Sequence, residues 1–179
     1  MNRTIKTNRL ILRPFESGDL VYMSEFSADS ENTRFLTSPN KSMDEVREYL
    51  DWVVSEWGKG KTQKYFCYAV VLGEKLIGEV ALGVVPPSKK ASIGWIIHKD
   101  HHNKGYATEA VRKIIEHAFK VLDIESVISS CDEKNTPSRR VMQKCGMLPL
   151  SKKEAWEYDD GRVSGAVYYC IERADHETS

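Results

Sequence analysis

The stretch 106–122, YATEAVRKIIEHAFKVL, constrains this chain more than any other. Ala107, Ala110, Val111, Ile114, Ile115, Ala118, Phe119 and Leu122 recur at the i, i+3, i+4, i+7 spacing of one helix face. Arg112, Lys113, Glu116, His117 and Lys120 fall between them and read as the solvated face. A helix with so wide an apolar stripe must bury it against another element. The chain offers one just upstream: the apolar run 93–97, IGWII, reads as a buried strand. Between strand and helix lies a short polar turn containing Asn103, Lys104 and Gly105. Strand, glycine turn and helix together aim free backbone N–H groups and the positive end of a helix dipole at one point, where an anion such as a phosphate binds well.

Around that helix the chain alternates between the two periodicities. Residues 7–14 alternate apolar and polar positions and stop at Pro14, as a first strand does. Leu20, Met23 and Phe26 stand at helical spacing within 19–28. Ser42 followed by Glu45 is a capping box for a helix over 43–57, with Val46, Leu50, Val53, Val54 and Trp57 as its apolar face and Gly58 and Gly60 at its end. Two β-branched and aromatic runs, 65–72 and 75–85, flank Gly73-Glu74 as an antiparallel hairpin. Strands follow at 91–98 and 124–131, then a short helix at 137–145 closed by Gly146. Runs 148–158 and 163–172 pair across Asp159-Asp160-Gly161, and residues 174–179 read as a frayed polar tail. The order β, α, α, β, β, β, α, β, α, β, β predicts a mixed α/β domain over the whole of 1–179.

Three separate motifs carry a family resemblance. His102-Asn103-Lys104-Gly105-Tyr106-Ala107-Thr108-Glu109-Ala110 resembles the acyl-CoA pyrophosphate loop of the GCN5-related N-acetyltransferases, with His102 where that loop usually has Gln or Arg. Thr7-Asn8-Arg9-Leu10-Ile11-Leu12-Arg13-Pro14 resembles the opening of the branch that acetylates ribosomal-protein N-termini. Asn135 to Met147 resembles that branch's segment after the fifth strand. The resemblance implies a mostly antiparallel sheet of six or seven strands flanked by about four helices, with strands 4 and 5 splayed apart through a bulge. It implies an acetyl-CoA-dependent N-acetyltransferase working by direct attack of an amine, without a covalent enzyme intermediate.

The resemblance also assigns residues. Acetyl-CoA, the one cofactor implied, would be held by Asn103, Lys104, Gly105, Tyr106, Ala107 and Thr108 at its pyrophosphate. Main-chain groups near Ile96, Ile97 and His98 would polarise the thioester, and Asn135 would bond the pantetheine arm. Ser138 would point at the thioester sulfur, where many relatives place a tyrosine. Glu157 would accept the amine proton through water, with Glu79 as the other carboxylate in reach of the acceptor cleft. The two early helices, with Trp52 and Trp57, and the last hairpin would wall in the acceptor. An α-amine, whose pKa is about 7.7–8.0, needs a weaker base than a lysine near 10.4. That favours a protein N-terminus or a small amine, an antibiotic or polyamine included. A CoA-binding sensor without transfer activity is the alternative from another class. The resemblance also allows a homodimer.

Composition narrows the remaining classes. Acidic and basic residues balance at 26 each, interspersed, so nothing recruits nucleic acid or an anionic membrane. The N-terminal residues have no apolar core of a signal peptide and no run approaches a membrane span, so the expected location is the cytoplasm. Cys67, Cys131, Cys145 and Cys170 form no C-x-x-C pair and the histidines no metal-binding spacing, so reduced thiols and no metal are expected.

Overall fold

A computed structural model describes residues 3–37 and 42–177. Its frame is an eight-stranded sheet in the order β1-β2-β3-β4-β5-β6-β8-β7, with β1 at Ile5–Lys6, β2 at Leu10–Pro14, β3 at Tyr65–Leu72, β4 at Lys75–Val85, β5 at Lys90–Ile97, β6 at Ser126–Asp132, β7 at Leu148–Glu157 and β8 at Val163–Glu172. Every neighbouring pair is antiparallel except β5 and β6. Helices α1 (Leu20–Ala28), α2 (Ser30–Thr33) and α3 (Met43–Glu56) follow β2. Helix α4 (Tyr106–Lys120) crosses from β5 to β6, α5 (Thr136–Lys144) follows β6, and α6 (Arg173–Glu177) closes the described chain.

Each sheet face has its own core. On one, Ala110, Val111, Ile114, Ile115, Ala118 and Phe119 of α4 pack on Val80, Leu82, Ile93, Ile97 and Val127 of the strands. Each fully buried aliphatic side chain contributes about 1.5–3 kcal/mol, so packing rather than propensity fixes this helix. On the other face Met23 and Phe26 of α1 and Val46, Leu50 and Val53 of α3 cover Cys67, Ala69 and Leu76. Ser42 caps α3 as expected: its Oγ accepts from the Glu45 amide at 3.3 Å while the Glu45 carboxylate accepts from the Ser42 amide at 2.8 Å. Arg13 pins the turn before α1 with two 2.8 Å bonds to the buried carboxylate of Asp19.

Several expectations need correction. The alternating run 7–14 is not one strand: the Thr7 amide donates to the Leu10 carbonyl and the Thr7 hydroxyl oxygen accepts from the Leu10 amide, folding residues 7–9 into a turn between β1 and β2. The polar tail begins as helix α6, where Arg173 donates to the Ile124 carbonyl at 2.8 Å and pairs with Asp123. His117 is half-buried rather than solvated, its ring edge-on to Tyr68 at 6.4 Å. Burial lowers its imidazole pKa.

Candidate functional site

Strand β5 is where the site begins. It pairs with β4 along its whole length, Gly78 opposite Ile97 through Val85 opposite Lys90, without a register shift. With β6 it pairs only at Lys90–Ser126, Ala91–Val127 and Ser92–Ile128. One side-chain bond follows, from Ser129 Oγ to the Ile93 carbonyl at 2.8 Å, and the ladder ends there. The expected splay is therefore present, and it comes from β6 leaving β5. No bulge against β4 produces it.

Alternation decides which backbone groups the wedge receives. The His98 amide donates to the Ile77 carbonyl at 2.8 Å, on the β4 side. Counting back in twos, Ile96 and Gly94 also turn their N–H and C=O to β4, and Ile97, Trp95 and Ile93 turn theirs to β6. Of Ile96, Ile97 and His98, only Ile97 presents its amide to the wedge, and Trp95 joins it. His98 instead accepts from the Asp100 amide at its Nδ1, 3.2 Å away, and starts the short turn at Lys99–His101.

At the wide end of the wedge the chain turns into α4. Asn103 and Gly105 both take positive φ, 59° and 82°. Gly105 is the helix N-cap and has no side chain to bond the cap amides, so Tyr106, Ala107 and Thr108 point N–H groups outward in the first turn. These amides and the positive end of the helix dipole stand where the sequence predicts an anion site. His102 bonds through Nε2 to the Ile97 carbonyl at 2.7 Å, tying the start of the loop to the end of the strand. Lys104 Nζ donates to the Asp100 carbonyl at 2.7 Å.

The opening motif braces this loop. Glu109 accepts from the Thr7 hydroxyl at 2.6 Å, the Arg9 amide at 2.9 Å and Arg9 Nε at 2.7 Å. Arg9 also donates to the Lys104 carbonyl at 3.0 Å and lies 4.5 Å from the Tyr106 ring centroid. Burial alone would raise the Glu109 carboxyl pKa, but hydrogen bonds from Thr7 and Arg9 outweigh it and hold it below the usual range. Two motifs a hundred residues apart are one physical unit.

Across the wedge, β6 ends in Asp132, which is buried and accepts from the Tyr158 hydroxyl, the Ser164 hydroxyl and the Lys134 amide. Those bonds outweigh burial and lower its pKa, while burial and then Asp132 push the Tyr158 phenol up to about 12. Asn135 caps α5, its Oδ1 accepting from the Ser138 amide at 3.1 Å. Because β5 and β6 are parallel, the N-termini of α4 and α5 open at the same edge of the sheet, and half-buried Ser138 stands in the first turn of the second.

The opposite sheet face holds a cavity of about 300 Å³. It is walled by Met23, Phe26 and Ser27 of α1, by Thr33, Leu36 and Thr37, by Val46 and Tyr49 of α3, and by Glu79, Ala81, Gly94, Trp95 and Ile96 of β4 and β5. Among the described residues that line it Glu79 is the one carboxylate; it is only 7 % exposed, with the Tyr49 hydroxyl donating to its Oε1 at 2.5 Å. Burial first, and the Glu79 charge second, push the Tyr49 phenol and the nearby Cys67 thiol well above their ordinary values, so both keep their protons. Glu157 does not line the cavity. It is exposed at the end of β7, opposite Val163. Its hairpin reaches the cavity wall two residues later, where the Asp159 amide donates to the Thr37 carbonyl at 2.8 Å. Of the two tryptophans expected here, Trp57 is core and donates to the Cys67 carbonyl, and Trp52 packs tilted on Tyr49, a cavity residue, and edge-on to Tyr65. Sequence reasoning missed Tyr49, although a hydroxyl-bearing aromatic three residues after Val46 on the apolar stripe is a visible signal.

The β5–β6 wedge, the amide-lined start of α4 and the acid-bearing cavity thus border one strand. Residues 9–148 match the acetyltransferase (GNAT) domain family, and the chain belongs to it: it is an acetyl-CoA-dependent N-acetyltransferase. An uncharacterised N-acetyltransferase of Bacillus subtilis strain 168, YnaD, is 30 % identical over 145 residues, covering 80 % of this chain and 81 % of its own. A GNAT acetyltransferase from Bacillus anthracis superposes with a TM-score of 0.81 at 26 % identity, over 94 % of this chain and 98 % of that one. The ribosomal L7/L12 alpha-N-protein acetyltransferase RimL, in complex with coenzyme A, shares the fold at a TM-score of 0.84 and 16 % identity, over 94 % and 97 % of the two chains. Among the described residues no helix is long and apolar enough to cross a membrane, and no cluster of His, Cys, Asp or Glu could hold a metal ion.

Proposed function

We propose that the enzyme transfers the acetyl group of acetyl-CoA to a primary amine by direct attack across β5, with Glu79 as the base. The observation that carries this is the double role of β5. Trp95 and Ile97 turn backbone groups into the wedge, while Gly94, Trp95 and Ile96 form a wall of the cavity that contains Glu79. An acyl donor in the wedge and an amine in the cavity would meet at that strand.

In this reading the amides of Tyr106, Ala107 and Thr108 hold the pyrophosphate, with Asn103, Lys104 and Gly105 shaping the loop. Asn135 bonds the pantetheine arm, and the N–H of Trp95 or Ile97 polarises the thioester carbonyl. Glu79 takes one proton from the substrate ammonium. The freed nitrogen lone pair attacks the carbonyl carbon, a C–N bond forms and the C–S bond breaks. The departing thiolate takes the second amine proton by way of the Ser138 hydroxyl, leaving an amide and free CoA. Glu79 is preferred to Glu157 because it lies in the cavity beside a hydroxyl donor that orients it. A protein N-terminal amine of the kind named for RimL, and a small free amine, both satisfy this chemistry.

The test pairs acetyl-CoA calorimetry with CoA release for Glu79→Gln, Glu157→Gln and Ser138→Ala. Glu79→Gln should keep acetyl-CoA affinity and lose turnover by about 10²–10⁴-fold, the usual worth of a general base. Glu157→Gln should stay within a few-fold of the parent. The reverse pattern would move the base to the hairpin, and unchanged turnover in all three would sink the assignment of roles.

A further inference from the structure

We infer that the acceptor is a monoamine carried on a compact apolar group; this rests on reading the Glu79 cavity as the acceptor site and goes on to name what fills it. Two properties of the cavity carry the inference.

The first is its lining. Met23, Phe26, Leu36, Val46 and Ile96 present hydrocarbon, and Glu79 is the one carboxylate among the described residues that line it. One carboxylate neutralises one ammonium. A second or third ammonium taken inside the cavity would lie against apolar walls with no counter-charge, and an unpaired buried charge costs several kcal/mol. That disfavours a polyamine or aminoglycoside that enters with more than one ammonium. Ser27, Thr33 and Thr37 add only hydroxyls, and Thr33 Oγ1 is already donating to the Asp29 carbonyl at 2.9 Å.

The second is size. About 300 Å³ is room for roughly ten water-sized groups, at about 30 Å³ each. An amine on a branched alkyl or phenylalkyl group fits that space whole, and a multi-ring sugar would extend beyond it. Two sources share this chemistry: a free apolar amine, and the first residue of a peptide that begins with a large apolar side chain.

The experiment uses the full chain loaded with CoA and titrates propylamine, 3-methylbutylamine, 2-phenylethylamine and spermidine by calorimetry. Acetylation of the same amines, and of the tripeptides Leu-Gly-Gly and Ser-Gly-Gly, is then followed by CoA release. Affinity should rise about fourfold for each added methylene, and 2-phenylethylamine should bind at least tenfold more tightly than spermidine. Glu79→Gln should weaken the whole series without altering CoA affinity. Spermidine binding as well as or better than the apolar amines would overturn the inference, as would a flat series or none bound; the acetyl-transfer reading would survive on whichever amine turned over. Apolar amines that bind with the predicted slope but release no CoA from acetyl-CoA would uphold the inference and overturn the transfer reading. Leu-Gly-Gly turning over like 3-methylbutylamine, and well above Ser-Gly-Gly, identifies a peptide source. Turnover of the free amines alone identifies a small molecule.

Discussion

Replacing Glu109 with alanine should loosen both the fold and the cofactor loop by an amount the structure allows to be worked out. The carboxylate is 16 % exposed and accepts from the Thr7 hydroxyl, the Arg9 amide and the Arg9 guanidinium, whose own side chain is 45 % exposed. The guanidinium pair is close to a surface ion pair and is worth about 0.5–1 kcal/mol. The Thr7 and Arg9 donors are partly shielded and lose a charged acceptor, about 1 kcal/mol or a little more each. The sum is about 3 kcal/mol, equivalent to a fall in Tm of roughly 6–12 °C for a chain of this size. Urea denaturation of the parent, Arg9→Ala, Glu109→Ala and the double variant should return a coupling near 0.5–1 kcal/mol. Acetyl-CoA affinity should fall in both single variants, because Arg9 also holds the Lys104 carbonyl and the Tyr106 ring. Since the folded Glu109 pKa is depressed, the gap between parent and Glu109→Ala is fully present above about pH 4.3, the unfolded value, and shrinks as pH falls through the lower folded one. A coupling indistinguishable from zero, with acetyl-CoA affinity intact, would refute the clamp.

Three further outcomes follow from single contacts. Gly78→Ala should unfold the protein or cost more than about 3 kcal/mol in denaturation, because the added Cβ would stand 2.2 Å from the Ile96 carbonyl oxygen, in backbone that cannot yield. Tyr158→Phe should cost about 1.5–3 kcal/mol, because buried Asp132 keeps its charge and loses one of three donors; equal stability would mean that water replaces the phenol. In the native protein, thiol reagent at pH 8 should label at most Cys170, since Cys67, Cys131 and Cys145 are buried and burial raises their thiols, the latter two to about 11. Rapid labelling of more than one would show that the core opens.

What the sequence made legible was what local periodicity and turn chemistry decide. Helix α4, the Ser42 capping box and the hairpin at 65–85 came straight from spacing, since each buries one face only or closes on two residues. What it hid depends on packing at a distance. Glu79 alternates with apolar neighbours and so suggests solvent, but β4 is interior to the sheet with both faces covered, and the alternation there separates two cores. His117 sits at the margin of the α4 stripe, where only the position of Tyr68 decides its exposure. Residues 7–9 continue the strand pattern of 10–14, and their turn is visible only once Glu109 is seen to hold it. The polar sequence of α6 is helical because Arg173 anchors it to the start of β6.

The brevity of the β5–β6 ladder has a mechanical consequence. The sheet is two panels, β1 through β5 and β6 with β8 and β7, joined by three residue pairs. β3, β4 and β5 follow one another as hairpins closed by short loops, and so do β7 and β8, whereas β6 reaches β5 only through the crossover that carries α4. Backbone pairing is thinnest along that joint, where the shared core under α4 carries the contact onward, and it is also where the acyl donor would lie. A pantetheine arm laid along Trp95 and Ile97 would act as a splint, converting two hinged panels into one plate by mass action. Such an enzyme would be stiffest at the moment of transfer and would slacken each time CoA departs.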